Sequence, residues 1–262
     1  MTEAGARVRT GGCAIAIMAK ASAPGRTKTR LAPQLSFDEA AALNTAFLQD
    51  MAAKLGKAGA SAPIAPYVAY GPPGSEPFFR SVLPGDVALT PIWGPHFGDC
   101  LWRTTLALLE AGHESACVLN ADSPTLPAAY LSECALKLAE PGDRAVLGPS
   151  TDGGYYILGL KQTHKHMFAD IAWSTERVAE QTRERAREIG LAIHELPDWY
   201  DVDDAESLRF LLADLGLARG ETRKGADRAE ATAELLRRLD REAGLIARLG
   251  AVTAAGIEGA PI

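Results

Sequence analysis

The chain has 262 residues, 47% of them hydrophobic and 23% charged, with a formal net charge of −6. That length suits one large α/β domain or two small ones, and the acidic balance sets aside a dedicated nucleic-acid binder, which usually carries a basic excess. No apolar run in the sequence approaches the roughly 18–20 residues that span a bilayer, and the apolar stretch at 13–19 breaks at Lys20, too soon for a secretory signal.

Residues 1–12 lack periodicity and read as a disordered leader. CAIAIMA at 13–19 is a continuous apolar run, the pattern of a strand buried on both faces of a parallel sheet. A Pro/Gly/basic loop follows. Ser36 with Glu39 forms a capping-box pattern, and Leu43, Phe47, Met51 and Leu55 recur every four residues behind it as one apolar helix face. Residues 65–70 and 87–92 read as strands and 98–111 as a helix. ACVLNAD at 116–122 is a second strand of the buried type, and Pro127 opens a helix to about Ala139. RAVLG (144–148) and YYILGL (155–160) are strands separated by Asp152-Gly153-Gly154. Ser174 or Thr175 is expected to cap a charged helix reaching Ile189; the strand LAIHEL follows, then a last core helix over 205–217.

Strands alternating with helices imply a mostly parallel central sheet with helices on both faces. Residues 13–218 would form this domain. The polar stretch 216–225 reads as a linker, so 219–262 would hold linker and tail. Leu235, Leu236, Leu239, Ile246 and Leu249 line a tail helix that would pack on the domain or on a partner chain, before the frayed end VTAAGIEGAPI. Four cysteines (Cys13, Cys100, Cys117, Cys134) form no CxxC pair, so reduced thiols in a soluble cytoplasmic protein are the expectation.

Four clusters have the composition of a ligand site. Lys20, Arg26, Lys28 and Arg30 crowd the loop KASAPGRTKTRL around Gly25, at the strand end where an open parallel sheet binds ligands. Gly25 admits backbone amides close to an anion and the cations add charge-assisted bonds, so a polyphosphate is the natural ligand. The loop is not a Walker A motif, and with no acidic partner nearby in sequence it reads as exposed; a plain solvated basic loop explains the same letters. Asp122 in LNADSPTLP directly follows a buried strand and faces the same edge, as ligand to a divalent cation or as a turn or helix cap. In WYDVDD, Asp201 and Asp203 alternate across Val202 and point the same way, toward a cation that relieves their repulsion; alternatively this acidic segment serves helix capping, with Asp203 or Asp204 preceding the next helix. Asp152-Gly153-Gly154-Tyr155 offers free amides and one carboxylate, as a binding loop or as a hairpin turn. Elsewhere the composition is bland. His164-Lys165-His166 reads as surface, Cys117 as a small core residue, and Trp173 as a helix-docking side chain that could also line a pocket.

Taken in order, AKASAPGRTKTRL, LNADSPTLP, LGPSTDGGYYILGL, IAWSTERV and DVDDAESL resemble a bacterial family of GT-A-fold glycosyltransferases in the nucleotide-diphospho-sugar transferase superfamily, of the rSAM/selenodomain-associated type. More distantly they are similar to 2-phospholactate guanylyltransferases and to the nucleotidyltransferases of molybdenum-cofactor assembly. The resemblance implies a GT-A, Rossmann-like fold over roughly 14–217. It implies nucleotide phosphates on Lys20, Gly25, Arg26, Lys28 and Arg30, and Mg²⁺ or Mn²⁺ on Asp122, Asp201 and Asp203. Asn120-Ala121-Asp122 departs from the Gly-Thr-Asp of typical members, and the Asp-x-Asp of many glycosyltransferases is absent here.

The expected function is a metal-dependent transferase that moves a sugar from a nucleotide diphosphate sugar to a small acceptor. Asp122, Asp152 and Lys28 would be catalytic, and Asp152, Gly153, Gly154 and Tyr155 would hold the acceptor. The alternatives are a nucleotidyltransferase that joins an NTP to a small phosphorylated acid, and a non-catalytic nucleotide-binding module. The partners expected are the nucleotide and the small acceptor, with no nucleic acid and no membrane span.

Overall fold

The computed structural model describes residues 11–249. Apart from Gly11 and Gly12, the leader expected at 1–12 therefore lies outside the described residues, as does the end expected to fray.

Seven strands form one sheet in the order β3-β2-β1-β4-β6-β5-β7. They are β1 (Cys13–Lys20), β2 (Ile64–Gly71), β3 (Ala88–Pro91), β4 (Ser115–Leu119), β5 (Ala145–Pro149), β6 (Tyr155–Leu160) and β7 (Ile193–Glu195). All pairings are parallel except those of β6, which runs antiparallel to both β4 and β5. The C-terminal ends of β1, β2, β3, β4 and β5 therefore share one edge of the sheet. The reversed strand delivers its first residue, Tyr155, to that same edge.

The helices are α1 (Phe37–Gly59), α2 (Glu76–Val82), α3 (Phe97–Glu110), α4 (Ala128–Ala139), α5 (Val178–Glu188), α6 (Ala205–Asp214) and α7 (Glu230–Ala243). No described helix is long and apolar enough to cross a membrane. Side-chain size along β1 shows why two layers of helices fit. Cys13, Ile15 and Ile17 point into the larger core, with Leu43, Phe47 and Met51 of α1 and Leu131 of α4. Ala14 and Ala16 point to the other face, where their small size lets Leu108 of α3 approach.

Helix α1 starts where the sequence places it. Ser36 Oγ accepts from the Glu39 amide while the Glu39 carboxylate accepts from the Ser36 amide. Helix α7 packs on α1, and Leu235, Leu236, Leu239, Leu245 and Leu249 enter the larger core. Its N-terminus has no cap of its own. Asp50, buried in the middle of α1, accepts instead from the amides of Ala231 (3.0 Å) and Thr232 (2.8 Å). The preceding residue pair is clasped as well. Asp227 accepts from the Ala128 amide at the start of α4 and from Lys57, and Lys54 donates to the Arg228 carbonyl.

Several expectations need correction. Strand β4 stops at Leu119; the Asn120 amide still bonds the Tyr156 carbonyl in register with β6, and the strand ends before Asp122. Neither Ser174 nor Thr175 caps α5, which begins at Val178 with Arg177 in the cap position and no side-chain cap. The Thr175 hydroxyl is held in a local turn, donating to the Ala172 carbonyl and accepting from the Arg177 amide. Helix α6 ends at Asp214, three residues early, and α2 carries no signal in the sequence. His164 and His166 sit at the surface beside Asp143 and Glu188. Cys117 is fully buried.

Candidate active site

The shared strand edge opens into a cavity of about 1250 Å³. Its lining brings together the loop after β1, the turn after β4, the β5–β6 connection, the segment before α6 and the first turn of α3. Every side chain proposed from the sequence for metal, phosphate or acceptor contact lines this cavity, save the glycines Gly25 and Gly153. Gly25 and Gly153 have positive φ, +71° and +89°. At Gly153 a Cβ would fall 2.0 Å from the Glu176 carbonyl oxygen, so only glycine lets this loop dock against the start of α5.

The four cations of the basic loop are not equivalent. Lys20, Arg26 and Arg30 are exposed and make no ion pair among the described residues. Lys20 lies 5.9 Å from the centre of the Trp93 ring. Lys28 contradicts the expectation of an exposed loop: its side chain is only 4% exposed. Its Nζ donates to Asp203 Oδ1 (2.8 Å) and the Val202 carbonyl (2.6 Å) and forms an ion pair with Asp122 Oδ1 (2.8 Å), with the Phe47 ring 5.1 Å away. Burial alone would lower the Lys28 pKa, but the Asp122 and Asp203 carboxylates outweigh it and hold the ammonium above its usual value. Its backbone is left-handed (φ 51°, ψ 37°), an uncommon conformation for a side chain of this size.

Backbone bonds knit the acidic segments together. The Val202 amide donates to the Asp122 carbonyl, which ties the turn after β4 to the segment before α6. The Trp199 amide donates to Pro149 and the Thr151 amide to Trp199, so that segment runs on as an extension alongside β5. Val202 is fully buried and Asp201 and Asp203 flank it on the cavity side. Capping of α6 falls to Asp204, in a capping box with Ser207, which leaves Asp201 and Asp203 free of that task. Burial pushes the Asp201 carboxyl up to about 7, and the neighbouring carboxylates of Asp152, Asp203 and Asp122 add to the rise. Asp152 binds its own loop, accepting from the Gly154 amide at 2.8 Å.

Two carboxylates, Asp122 and Asp203, thus flank the Lys28 ammonium, and Asp152 and Asp201 line the same cavity. Hard oxygen donors with surplus negative charge fit Mg²⁺ or Mn²⁺. Lys28 stands between two of the expected ligands, and among the described residues no three acidic, His or Cys side chains are drawn together as a ready ligand set.

The side of the cavity beyond Asp152 has a different character. Phe97, 54% exposed at the first position of α3, meets the Trp173 ring edge-on at 5.4 Å, and Tyr155 meets Trp173 at 6.4 Å. A Cβ at Gly98 would fall 2.6 Å from the Trp173 indole nitrogen, so glycine there lets the indole lie against α3. Asp152 and Glu176 belong to the same lining as these rings. The sequence singled out Trp173 and Tyr155 but missed Phe97 and Trp93. Their only signal is large aromatics in the Gly/Pro-rich run PIWGPHFG after a strand. Asn120 was also missed as a polar group of interest; its side-chain oxygen is buried without a partner beside the cavity.

The fold is that of the nucleotide-diphospho-sugar transferases. A structure from Desulfovibrio desulfuricans G20, provisionally assigned as a nucleotide-diphospho-sugar transferase, superposes with a TM-score of 0.74 at 26% identity, covering 90% of this chain and 97% of that one. CMP:2-keto-3-deoxy-manno-octonic acid synthetase bound to CTP shares the fold alone, with a TM-score of 0.52, 13% identity and 78% and 98% of the two chains covered. A cytidylyltransferase from Leptospira borgpetersenii does so too, at 0.52, 12%, 90% and 96%. No curated protein sequence matches the chain. Residues 41–175 match the family DUF2064, described as an uncharacterized protein conserved in bacteria, and the chain belongs to that family. The matched segment holds Asp122 and the Asp152–Tyr155 loop but neither the basic loop nor Asp201 and Asp203.

Proposed function

We propose that this protein is a metal-dependent transferase that takes a nucleotide diphosphate sugar and passes the sugar to a small acceptor. The observation that carries this reading is the opposition, within one cavity at the sheet edge, of three exposed cations (Lys20, Arg26, Arg30) and four carboxylates (Asp122, Asp152, Asp201, Asp203). The similarity to the Desulfovibrio protein over nearly all of both chains supports it, as does the motif resemblance to the rSAM/selenodomain-associated transferases.

In this reading Lys20, Arg26 and Arg30 bind the diphosphate, and the left-handed turn at Gly25 brings backbone amides toward it. Asp122, Asp201 and Asp203 would hold Mg²⁺ or Mn²⁺, which would supply positive charge to offset that of the departing diphosphate. The arginines add charge-assisted contacts to the same phosphate oxygens. The acceptor lies over Gly153, Gly154 and Tyr155, between Asp152 and the Phe97 and Trp173 rings. Asp152 orients its hydroxyl and takes the proton.

The character of the acceptor side favours sugar transfer over joining an NTP to a phosphorylated acid. A phosphate or carboxylate on the acceptor would need cations there, whereas Asp152 and Glu176 would repel it and the aromatic rings suit an uncharged ring.

Parallel incubations test the assignment: nucleotide sugars in one, the four NTPs with phosphorylated acids in the other, both with Mg²⁺ or Mn²⁺. Release of a nucleoside diphosphate from the first set is the expected result, and pyrophosphate release from the second alone would replace it. Asp152→Asn should cut turnover at least tenfold while nucleotide affinity holds. Loss of nucleotide binding in that variant would move Asp152 out of the acceptor subsite.

A further inference from the structure

Lys28 occupies the point between Asp122 and Asp203 where the cation of the proposed reaction would sit, 2.8 Å from an oxygen of each. Three features show that this is a built position. The ammonium is buried with the Phe47 ring 5.1 Å away, two carboxylates and a backbone carbonyl meet it, and the main chain that carries it adopts a left-handed turn. A left-handed conformation is costly for a non-glycine residue, and such strain persists only where the surrounding structure imposes it. Its neighbours Lys20, Arg26 and Arg30 have no such partners, so the arrangement is particular to Lys28.

We propose that Lys28 is a tethered stand-in for the divalent cation: it holds the acidic segments together in the resting protein, keeps free metal out, and yields its place when the cation arrives already bound to nucleotide phosphates. The inference rests on the nucleotide-using reading above. The physical argument is competition. An ammonium and a divalent cation cannot share the same two carboxylate oxygens, and like charges this close repel strongly in a partly buried site. Free Mn²⁺ must therefore displace a satisfied ion pair, with the ammonium left buried and unpaired. A cation that arrives with a diphosphate brings its own anion. Lys28 then turns from the carboxylates to phosphate oxygens next to the loop that carries it, and the charge count on both sides is preserved.

The test compares the wild type with Lys28→Met, Lys28→Gln and Lys28→Arg. Free Mn²⁺ is followed by its electron paramagnetic resonance signal and the melting temperature by circular dichroism. Without nucleotide, the wild type and Lys28→Arg should bind Mn²⁺ weakly, with a melting temperature that Mn²⁺ leaves unchanged. Lys28→Met and Lys28→Gln should melt lower in chelator, bind Mn²⁺ at least tenfold more tightly than the wild type, and regain melting temperature when Mn²⁺ is added. A merely structural lysine would not produce that charge-specific split. Should Lys28→Met not fold, Lys28→Gln, which can still bond the Val202 carbonyl, carries the comparison. Equal Mn²⁺ affinity in the wild type and Lys28→Gln overturns the proposal.

A second arm adds ADP, GDP, CDP or UDP. Mn²⁺ uptake by the wild type together with one of them is expected, and a nucleotide that binds while Mn²⁺ stays excluded overturns the displacement step. If none of the four binds any variant, the nucleotide reading fails, while the Mn²⁺ comparison without nucleotide still decides the role of Lys28.

Discussion

Arg26 and Lys28 stand two positions apart in one basic loop, yet only one of them is spoken for. Arg26 is exposed and makes no ion pair among the described residues, so its charge is available to a phosphate and its removal disturbs no packed contact. A hydrogen bond to a charged group contributes about 1.5–3 kcal/mol. Arg26→Ala should therefore weaken binding of the preferred nucleoside diphosphate by roughly 10- to 100-fold, with an unchanged melting temperature. Calorimetric titration measures this, and wild-type affinity in the variant removes Arg26 from the phosphate site. The sequence distinguishes these two residues poorly. It shows which side chains crowd a loop at a strand end, and every cluster it singled out for ligands does reach the cavity. The partners of Lys28 lie far away in the chain, Asp203 being 175 positions on, so nothing local marks Lys28 as buried. Phe97 and Trp93 escaped for a related reason: they are neither periodic nor charged, and their place in the cavity comes from the sheet edge that carries them.

Helices were legible where their instructions lie within a few residues. The Ser36–Glu39 box starts α1 and the Asp204–Ser207 box starts α6. Helix α2, seven residues between Pro- and Gly-rich turns, is too short to show a period. The start of α7 is instructed from another helix. Asp50 supplies from α1 the two acceptors that a local cap would supply, and in sequence it is one carboxylate within an otherwise ordinary helix. Asp50→Ala would leave the Ala231 and Thr232 amides without partners in a place where Thr232 is fully buried. Each stranded buried group costs roughly 1–3 kcal/mol. A loss of about 2–4 kcal/mol in urea unfolding is the expected result, accompanied by faster amide exchange over Glu230–Ala243. Unchanged stability with unchanged exchange would show that apolar packing alone holds α7 in place.

For the molecule as a whole, the same contact between α1 and α7 sets a pH dependence. Burial lowers the Lys54 pKa to about 8; the Asp227 and Asp50 carboxylates work against that fall and Lys57 adds to it. In the unfolded chain the group titrates near 10.4. Between these values the unfolded state binds the extra proton, so stability from this residue rises with pH through that window and is constant below it. Measured by urea unfolding at pH 7.5, 9 and 10, the wild type should gain on Lys54→Met by roughly 2 kcal/mol across the series. A constant difference would mean that Lys54 keeps its ordinary pKa. The alternation of strands and helices was enough to foresee a mostly parallel sheet covered on both faces. Strand order was not legible, because hydrogen-bonded neighbours such as β4 and β6 are separated in the chain by α4 and β5.

That strand order makes β6 the seam of the sheet. With β6 removed, β4 and β5 would face each other across a gap of two strand spacings, about 9.6 Å, too wide for any backbone hydrogen bond. Both partners of β5, β6 and β7, come after it in the chain. A growing chain that has not yet reached Tyr155 therefore carries an open edge on β4 and a β5 with nothing to pair to. Six residues then arrive on a short connection, close both edges at once, and in the same movement set the Asp152 loop over the cavity. The joining of the two halves of the sheet and the placing of the Asp152 loop at the cavity thus depend on one strand.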